Sequence, residues 1–263
     1  MTEVEVIRIG TQDRFLGTHR STKALACPVV ADDNPDAPII DESEWVEQDP
    51  PEQFIPPLAD QNGVGACNAF AATNLLTTQR LVSGFEWYEL FPGDLYGRIN
   101  GGRDQGSTLE DALDALLREG VADRDPSLAL YEWRRRTANT ASRANNKILE
   151  YNLCPGYRAI MSQTQRGFAV AFGCGVGGNF EADSRGYVPP ARGRTGGHAM
   201  ILLPFAMKVI NGRKCPAVFN SWQGWGIDGR GWAWLDPSYL SDGGWNSYSA
   251  RVVTLPDSLK VRA

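Results

Sequence analysis

Gln61 and Cys67 lie six residues apart in the segment DQNGVGACNAF, on either side of a glycine-rich turn. Cys67 opens an apolar run with helical spacing, so we expect it in the first turn of a helix. The helix dipole favours a thiolate at that position, and a thiolate is a strong nucleophile. Taken alone, however, the cysteine is better explained as a buried structural thiol.

His198 and Asn220 supply the other groups that a cysteine nucleophile requires, a base and a group that orients the base. His198 lies in GGHAMILL at the entry to a predicted strand, and Asn220 lies in FNSWQGWG at the end of another. An asparagine amide oxygen can accept a hydrogen bond from the imidazole and fix its tautomer. The adjacent indole of Trp222 can shield that bond from water.

The order Gln61, Cys67, His198 and Asn220, within the motifs GACNAFA, GGHAMIL and NSWxxWG, resembles the papain family of cysteine peptidases. The interval between the glutamine and the cysteine matches that family's motif. The resemblance covers about residues 54–240, and the segments DQGS and LLREGV resemble cytosolic and bacterial members. Four motifs in the right order are specific, whereas any one of them alone is weak.

By this resemblance, Cys67 is the nucleophile and His198 the general acid and base, while Asn220 orients the histidine. The side chain of Gln61 and the backbone N–H of Cys67 form the oxyanion hole. The implied reaction is the hydrolysis of peptide bonds through a thioester acyl-enzyme, with a peptide or protein as substrate. The resemblance implies neither a cofactor nor a metal ion.

The resemblance also implies a fold and a substrate groove. Gly106 takes the place of the family glycine that pairs with the substrate backbone, and Gly197 and Trp222 are assigned to the same groove. The family fold is a papain-like α+β fold with two lobes. One lobe is helical, the other is an antiparallel β-barrel-like lobe, and the active site lies in the cleft between them.

The sequence departs from the family pattern at several positions. Asn68 follows the nucleophile where an aromatic residue is usual, and Val64 replaces a cysteine, so that family disulfide cannot form. The two tryptophans of SWQGW are one residue closer than usual. No recognisable inhibitory propeptide precedes the domain, so the closest parallel is a bacterial or phage-type member without one. None of these changes removes a catalytic group.

Two helices are well marked in the first half of the chain. Apolar positions recur every three to four residues from Ala66 until Gly84 stops the run. In the second helix Ser107 and Glu110 are predicted to form a capping box, and Gly120 occupies the C′ position. Its predicted buried stripe is Leu109, Ala112, Leu113 and Leu116.

A third helix is predicted within residues 127–151, and the character of the sequence becomes strand-like after Pro155. Helices in one half and strands in the other favour an α+β protein. The chain is therefore divided into an N-terminal arm or strap at 1–53 and a peptidase domain at 54–263, with a helical lobe at about 66–152 and a β lobe at about 153–255.

The charge and composition exclude several classes of protein. The net charge of −5 argues against a nucleic-acid partner, and the basic run Arg134–Arg136 is interpreted as a solvated helix face. The N-terminus has no apolar signal-peptide core, and the run AMILLPFAM is too short to span a membrane. We therefore expect a cytoplasmic protein with no membrane partner.

Other motifs carry no chemistry. The five cysteines include no CxxC pair and there are two histidines, which argues against zinc and favours reduced thiols. The segment GCGVGG fits a dinucleotide-binding pattern, but too many prolines and glycines follow it for the helix that a pyrophosphate site requires.

Two alternatives remain open from the sequence alone. The chain could be a peptidase-fold component of a larger protein assembly, such as a virion or a secretion machine, with or without activity. Separately, the arm of residues 1–58, rich in Asp, Glu and Pro, could lie along the groove and limit access, or could complete the β lobe as a strap.

Overall fold

The computed structural model describes residues 5–9, 11–21, 27–193, 195–241 and 245–252. Within these ranges the α-helices are α1 (Cys67–Val82), α2 (Pro92–Ile99), α3 (Leu109–Arg118) and α4 (Gly156–Gln165). The strands are β1 (Glu5–Ile9), β2 (Gln12–Leu16), β3 (Ile148–Leu153), β4 (Val170–Gly177), β5 (Tyr187–Val188), β6 (Thr195–Ile210), β7 (Arg213–Phe219), β8 (Trp232–Leu235) and β9 (Ser247–Val252).

The two well-marked helices, α1 and α3, are confirmed. Each is followed by a glycine with positive φ, Gly84 at 79° and Gly120 at 83°, a conformation that glycine adopts without strain. The predicted stripe of α3 is fully buried. Helix α1 is buried on every side from Cys67 to Arg80, because it packs against both α2 and α3 and against strands of the sheet.

The predicted capping box of α3 is wrong by one residue. The N-cap is Thr108, whose hydroxyl accepts the backbone N–H of Asp111 at 3.1 Å. The hydroxyl of Ser107 instead accepts a hydrogen bond from the side chain of Asn68 at 3.1 Å, and the carboxylate of Glu110 accepts one from a tyrosine of β9. Tertiary contacts therefore use the two side chains that the sequence pattern assigned to the cap.

The third helix predicted within 127–151 is also wrong. This segment is a loop containing a 3-10 turn at Asn139–Asn145, and it ends in β3. The carboxylate of Asp125 holds the loop, since one of its oxygens accepts the hydroxyl proton of Thr137 at 2.9 Å. Arg134–Arg136 consequently lie on an exposed loop and not on a solvated helix face.

Two helices were missed from the sequence, α2 and α4. Helix α2 is short and contains Gly93 and Gly97, which weaken a helical pattern. Both glycines allow close packing of backbone on backbone. A Cβ on Gly93 would lie 2.3 Å from the carbonyl oxygen of Glu132, and one on Gly97 would lie 2.6 Å from that of Trp133.

The main sheet has seven strands in the order β3-β9-β4-β6-β7-β8-β5. Its pairs are antiparallel except for β5 with β8. The α+β fold class is confirmed, but the β lobe is a sheet with two edges and not a closed barrel. Among the described residues, no helix is both long and apolar enough to cross a membrane.

The described part of the N-terminal arm packs onto the β lobe. Strands β1 and β2 form an antiparallel hairpin, and isolated bridges join Val29 to Leu153 and Gln48 to Met207. Four apolar arm side chains are buried in the same cluster as the strand residues of the sheet, namely Ile9, Leu16, Val30 and Ala37. The boundary at residue 53 between the arm and the peptidase domain stays a prediction.

Candidate active site

His198 and Asn220 lie on neighbouring strands at one end of the sheet. His198 is in β6, Asn220 directly follows β7, and the two strands pair antiparallel. The ring nitrogen Nε2 of His198 is 2.9 Å from Oδ1 of Asn220. Because a carbonyl oxygen can only accept, Nε2 carries the proton and the basic nitrogen of the neutral ring is Nδ1. Nδ1 is buried and has no hydrogen-bond partner among the described residues.

Trp222 covers the imidazole of His198. The two rings stack with centroids 4.3 Å apart and planes 20° apart, and both side chains are buried. The guanidinium of Arg14, from β2, lies over the same indole at 5.1 Å. The histidine is therefore held in one orientation and shielded from water by the arm as well as by the sheet.

Cys67 lies at the first residue of α1, beside the strand that carries the histidine. The backbone of Ala199, the residue after His198, is close enough to the thiol to influence its pKa. Cys67 has no exposed surface in this state.

A directed chain of hydrogen bonds holds the thiol. Nδ2 of Asn68 donates to the carbonyl oxygen of Ser107 at 2.8 Å, so Oδ1 faces the other way and accepts from the Thr18 hydroxyl at 3.0 Å. Thr18 Oγ1 is also 3.0 Å from Sγ of Cys67. Since the hydroxyl has already donated its only proton to Asn68, it accepts the proton of the thiol.

The side chain of Gln61 is occupied by the arm in a similar way. Its amide nitrogen donates to the backbone carbonyl of Phe15 at 2.9 Å and to that of Val64 at 3.0 Å. Gln61 is almost fully buried, and its Oε1 has no partner among the described residues. The amide assigned to the oxyanion hole thus already holds a peptide carbonyl.

The backbone of residues 17–19, which we call the groove segment, runs between the two groove walls. On one side Ser107 donates to the carbonyl of Gly17 at 2.8 Å and accepts from the N–H of His19 at 2.9 Å. On the other side the N–H of Thr18 donates to the carbonyl of Gly197 at 3.2 Å.

Gly106 and Gly197 permit this close approach. A Cβ on Gly106 would lie 2.2 Å from the carbonyl oxygen of Gly17, and one on Gly197 would lie 2.2 Å from that of Thr18. A side chain at either position would therefore push the groove segment out.

Burial keeps Cys67 and His198 neutral, and the two side chains are not hydrogen-bonded to each other in this state. Burial raises the pKa of Cys67, since a thiolate would lose its hydration. It also lowers the pKa of His198 to about 4, an effect that the hydrogen bond to Asn220 opposes and the nearby Arg14 guanidinium reinforces. At neutral pH this state holds a thiol and a neutral imidazole.

Sequence reasoning proposed Gln61, Cys67, His198 and Asn220 as site residues but missed the arm residues that contact Cys67 and Gln61. Thr18 is 49 residues from Cys67, and a single threonine in an irregular segment carries no motif. Among the described residues, no cluster of His, Cys, Asp and Glu is placed to hold a metal ion.

Comparison with solved structures gives several similar folds. Xylellain, a cysteine protease from Xylella fastidiosa, has a TM-score of 0.64 and 17% identity, covering 95% of this chain and 98% of that one. Procathepsin B S9 from Trypanosoma congolense has a TM-score of 0.66 and 14% identity, covering 91% and 87%. The bromelain protease from Ananas comosus, in complex with the E64 inhibitor, has a TM-score of 0.56 and 18% identity, covering 76% and 95%.

At these identities the likeness establishes the fold alone. The resemblance to papain-like cysteine peptidases noted in the sequence is thus confirmed for the architecture of the chain. Neither a protein-family profile nor a curated protein matches the sequence.

Proposed function

We propose that this chain is a papain-like cysteine peptidase whose groove segment holds it in a latent state. The observation that carries the proposal is the way the chain binds its own backbone. The groove segment lies between Gly106 and Gly197, and Gln61 donates to the carbonyl of Phe15 in the strand that leads into that segment. A groove that binds extended backbone beside a Cys–His pair is suited to peptide-bond hydrolysis.

The proposed reaction begins when a substrate replaces the groove segment. Nδ1 of His198 takes the proton of Cys67, and the sulfur attacks the substrate carbonyl carbon. The resulting oxyanion accepts hydrogen bonds from Gln61 and from the N–H of Cys67. The protonated Nδ1 then gives its proton to the leaving amine, which leaves a thioester on the sulfur.

Hydrolysis of the thioester completes the cycle. Nδ1 of His198 removes a proton from water and the hydroxide adds to the thioester carbonyl. The carbon–sulfur bond then breaks, the sulfur of Cys67 takes the proton back from Nδ1, and the carboxylic acid product leaves the groove. Asn220 accepts from Nε2 throughout, so it keeps the tautomer in which Nδ1 is basic.

Two of the similar structures are named as precursor forms of cysteine proteases, which supports the proposal of a latent state. One is procathepsin B, and another is the Amb a 11 cysteine protease, a ragweed pollen allergen, in its proform. We infer that the arm has the inhibitory role that the sequence left open. No feature of the described residues favours the alternative role as a component of a larger assembly.

A direct test uses the variant Gly17→Ala, because a Cβ there would lie 2.0 Å from the carbonyl oxygen of Gly65 and would displace the groove segment. We expect this variant to cleave denatured protein substrates faster than the parent, with products identified by mass spectrometry. The double variant Gly17→Ala/Cys67→Ala should be inactive. Measurable cleavage at the same rate by the single and double variants would exclude Cys67 as the nucleophile, and an inactive single variant would contradict the latent state.

A further inference from the structure

A cavity of about 660 Å³ lies on the helical lobe, between α2 and the loop that follows residue 132. It is separate from the groove, and none of the residues assigned to catalysis lines it. Its lining contains Trp133, one carboxylate and five arginines, namely Arg98, Arg134, Arg135, Arg136 and Arg143. Five arginines in one lining are unexpected in a chain whose net charge is −5.

The one carboxylate of the lining does not neutralise these arginines. Asp94 is buried and already binds two of them, Arg143 through Nε at 2.9 Å and Arg98 at 3.4 Å. Arg98 also pairs with Glu119 at 3.1 Å, outside the lining. Arg98 and Arg143 therefore each have a carboxylate partner.

The three arginines of the loop remain without a carboxylate partner in the described part of the chain. Arg134 lies over the ring of Trp133 at 4.8 Å, and its backbone N–H donates to the Glu132 side chain at 2.8 Å. Arg135 and Arg136 are exposed and make no described ion pair or hydrogen bond. Even when Glu119 and Glu132 are counted with Asp94, two positive charges are left in excess.

Like charges held close together repel each other, and a bound anion removes that cost. Planar guanidinium groups match the oxygens of phosphate in two-bond contacts. The volume falls within the range of small-molecule sites, roughly 300–1,000 Å³. We propose that this cavity binds a small molecule that carries two or more phosphate groups.

The cavity lies behind one wall of the groove. The ring of Trp133 contacts the ring of Tyr96 edge to face, with centroids 5.9 Å apart. The Tyr96 hydroxyl donates to Asp104 at 2.7 Å and accepts the N–H of Gly106 at 3.1 Å. One tyrosine therefore connects the cavity to the groove wall, although a ligand in the cavity would not enter the groove.

The test is calorimetric titration of the full chain with inorganic triphosphate at constant ionic strength. We expect one saturable site, and we expect Arg135→Gln/Arg136→Gln to weaken binding at least about 10-fold through lost charge-assisted contacts. The matched control, Arg158→Gln/Arg192→Gln, removes two exposed arginines away from the cavity and should bind as the parent does. Activity is not the readout, so the result is independent of the proposed peptidase function.

Three results would overturn the proposal. The first is the absence of saturable binding, and the second is equal weakening in both double variants, which would indicate screening by net charge. The third is tighter binding of a glutamate hexapeptide than of triphosphate, which would make the cavity a docking site for acidic peptides. Unliganded melting curves check folding, and Arg134→Glu provides a second variant that should bind still more weakly.

Discussion

The hydrogen bonding of the Cys67 thiol depends on one residue of the arm and one residue of the helix. Asn68 stands where the family usually has an aromatic side chain, and its amide is oriented by the carbonyl of Ser107. That orientation makes Thr18 donate to Asn68 and accept from Cys67. This departure from the family pattern thus has a consequence, since it lets the arm bind the Cys67 thiol through Thr18.

Replacing Thr18 by valine should loosen the groove segment over Cys67. The change removes two buried hydrogen bonds, each worth about 1 kcal/mol, while it preserves the shape of the side chain. We expect a thiol reagent to label Cys67 roughly 10- to 30-fold faster, as followed by intact mass. Thr18→Ser keeps the hydroxyl and serves as the control. Labelling of the valine variant at the serine variant's rate would contradict the role of the hydroxyl.

The low pKa of His198, about 4 in the folded chain against 6.5 as its ordinary value, makes stability depend on pH. Between these two values the unfolded chain binds a proton that the folded chain does not. The stability that the chain has with a neutral His198 is therefore fully present above about pH 6.5, and it is lost as the pH falls towards 4. The size of this contribution is on the order of 3 kcal/mol.

The measurement is the free energy of unfolding of the parent and of His198→Gln between pH 7 and pH 4. We expect the parent to lose on the order of 3 kcal/mol more than the variant over this range, because only the parent carries the buried imidazole. Parallel pH curves for the two proteins would show that His198 is not held neutral by burial.

The residue types of the site could be predicted because they form motifs, but the contacts of the arm could not. Cys67, His198 and Asn220 each stand in a short segment whose composition is distinctive. Thr18 and Arg14 stand in a segment without any such pattern, and their contacts are fixed by the path of the chain across the groove.

At the scale of elements, the arm makes the contacts that both of the roles proposed from the sequence require. Its groove segment fills the space between Gly106 and Gly197, while Ile9 and Leu16 of the hairpin are buried in the β lobe. The groove segment and the packed hairpin are therefore adjacent parts of one structure.

Deleting residues 1–40 should both expose Cys67 and destabilise the chain. The deletion removes four buried apolar side chains from the core, and each such loss costs about 1–3 kcal/mol. We expect a lower midpoint of urea unfolding together with faster thiol labelling. Gly17→Ala is the matched variant, because it disturbs the groove segment but retains the buried hairpin residues. An unchanged unfolding midpoint in the deletion would contradict the strap role.

The elements that the sequence failed to predict have physical explanations. Side-chain hydrogen bonds around Asp125 hold the 127–151 segment as a loop, although its composition favours a helix. Helix α2 carries Gly93 and Gly97, which weaken its helical pattern but allow its backbone to pack closely against a loop distant in sequence. Helix α1 was well predicted because its long apolar run and its terminal glycine are local signals.

At the scale of the whole molecule, the helical lobe and the sheet each supply one side of the proposed active site. Helix α1 brings the cysteine, the end of the sheet brings the histidine and the asparagine, and the arm closes the space between them. Similar folds at 14–18% identity show that this architecture tolerates wide changes of sequence. The arginine-lined cavity adds a second polar site behind one wall of the groove.

The most direct test of the proposed peptidase site is labelling with an epoxysuccinyl peptide at neutral pH. The proteins to compare are Gly17→Ala and Gly17→Ala/His198→Ala, read by intact mass and peptide mapping. The proposal predicts one adduct on Cys67 in the first protein, none in the second, and no modification of the other four cysteines. Labelling that is spread over several cysteines, or that persists at Cys67 without His198, would contradict it.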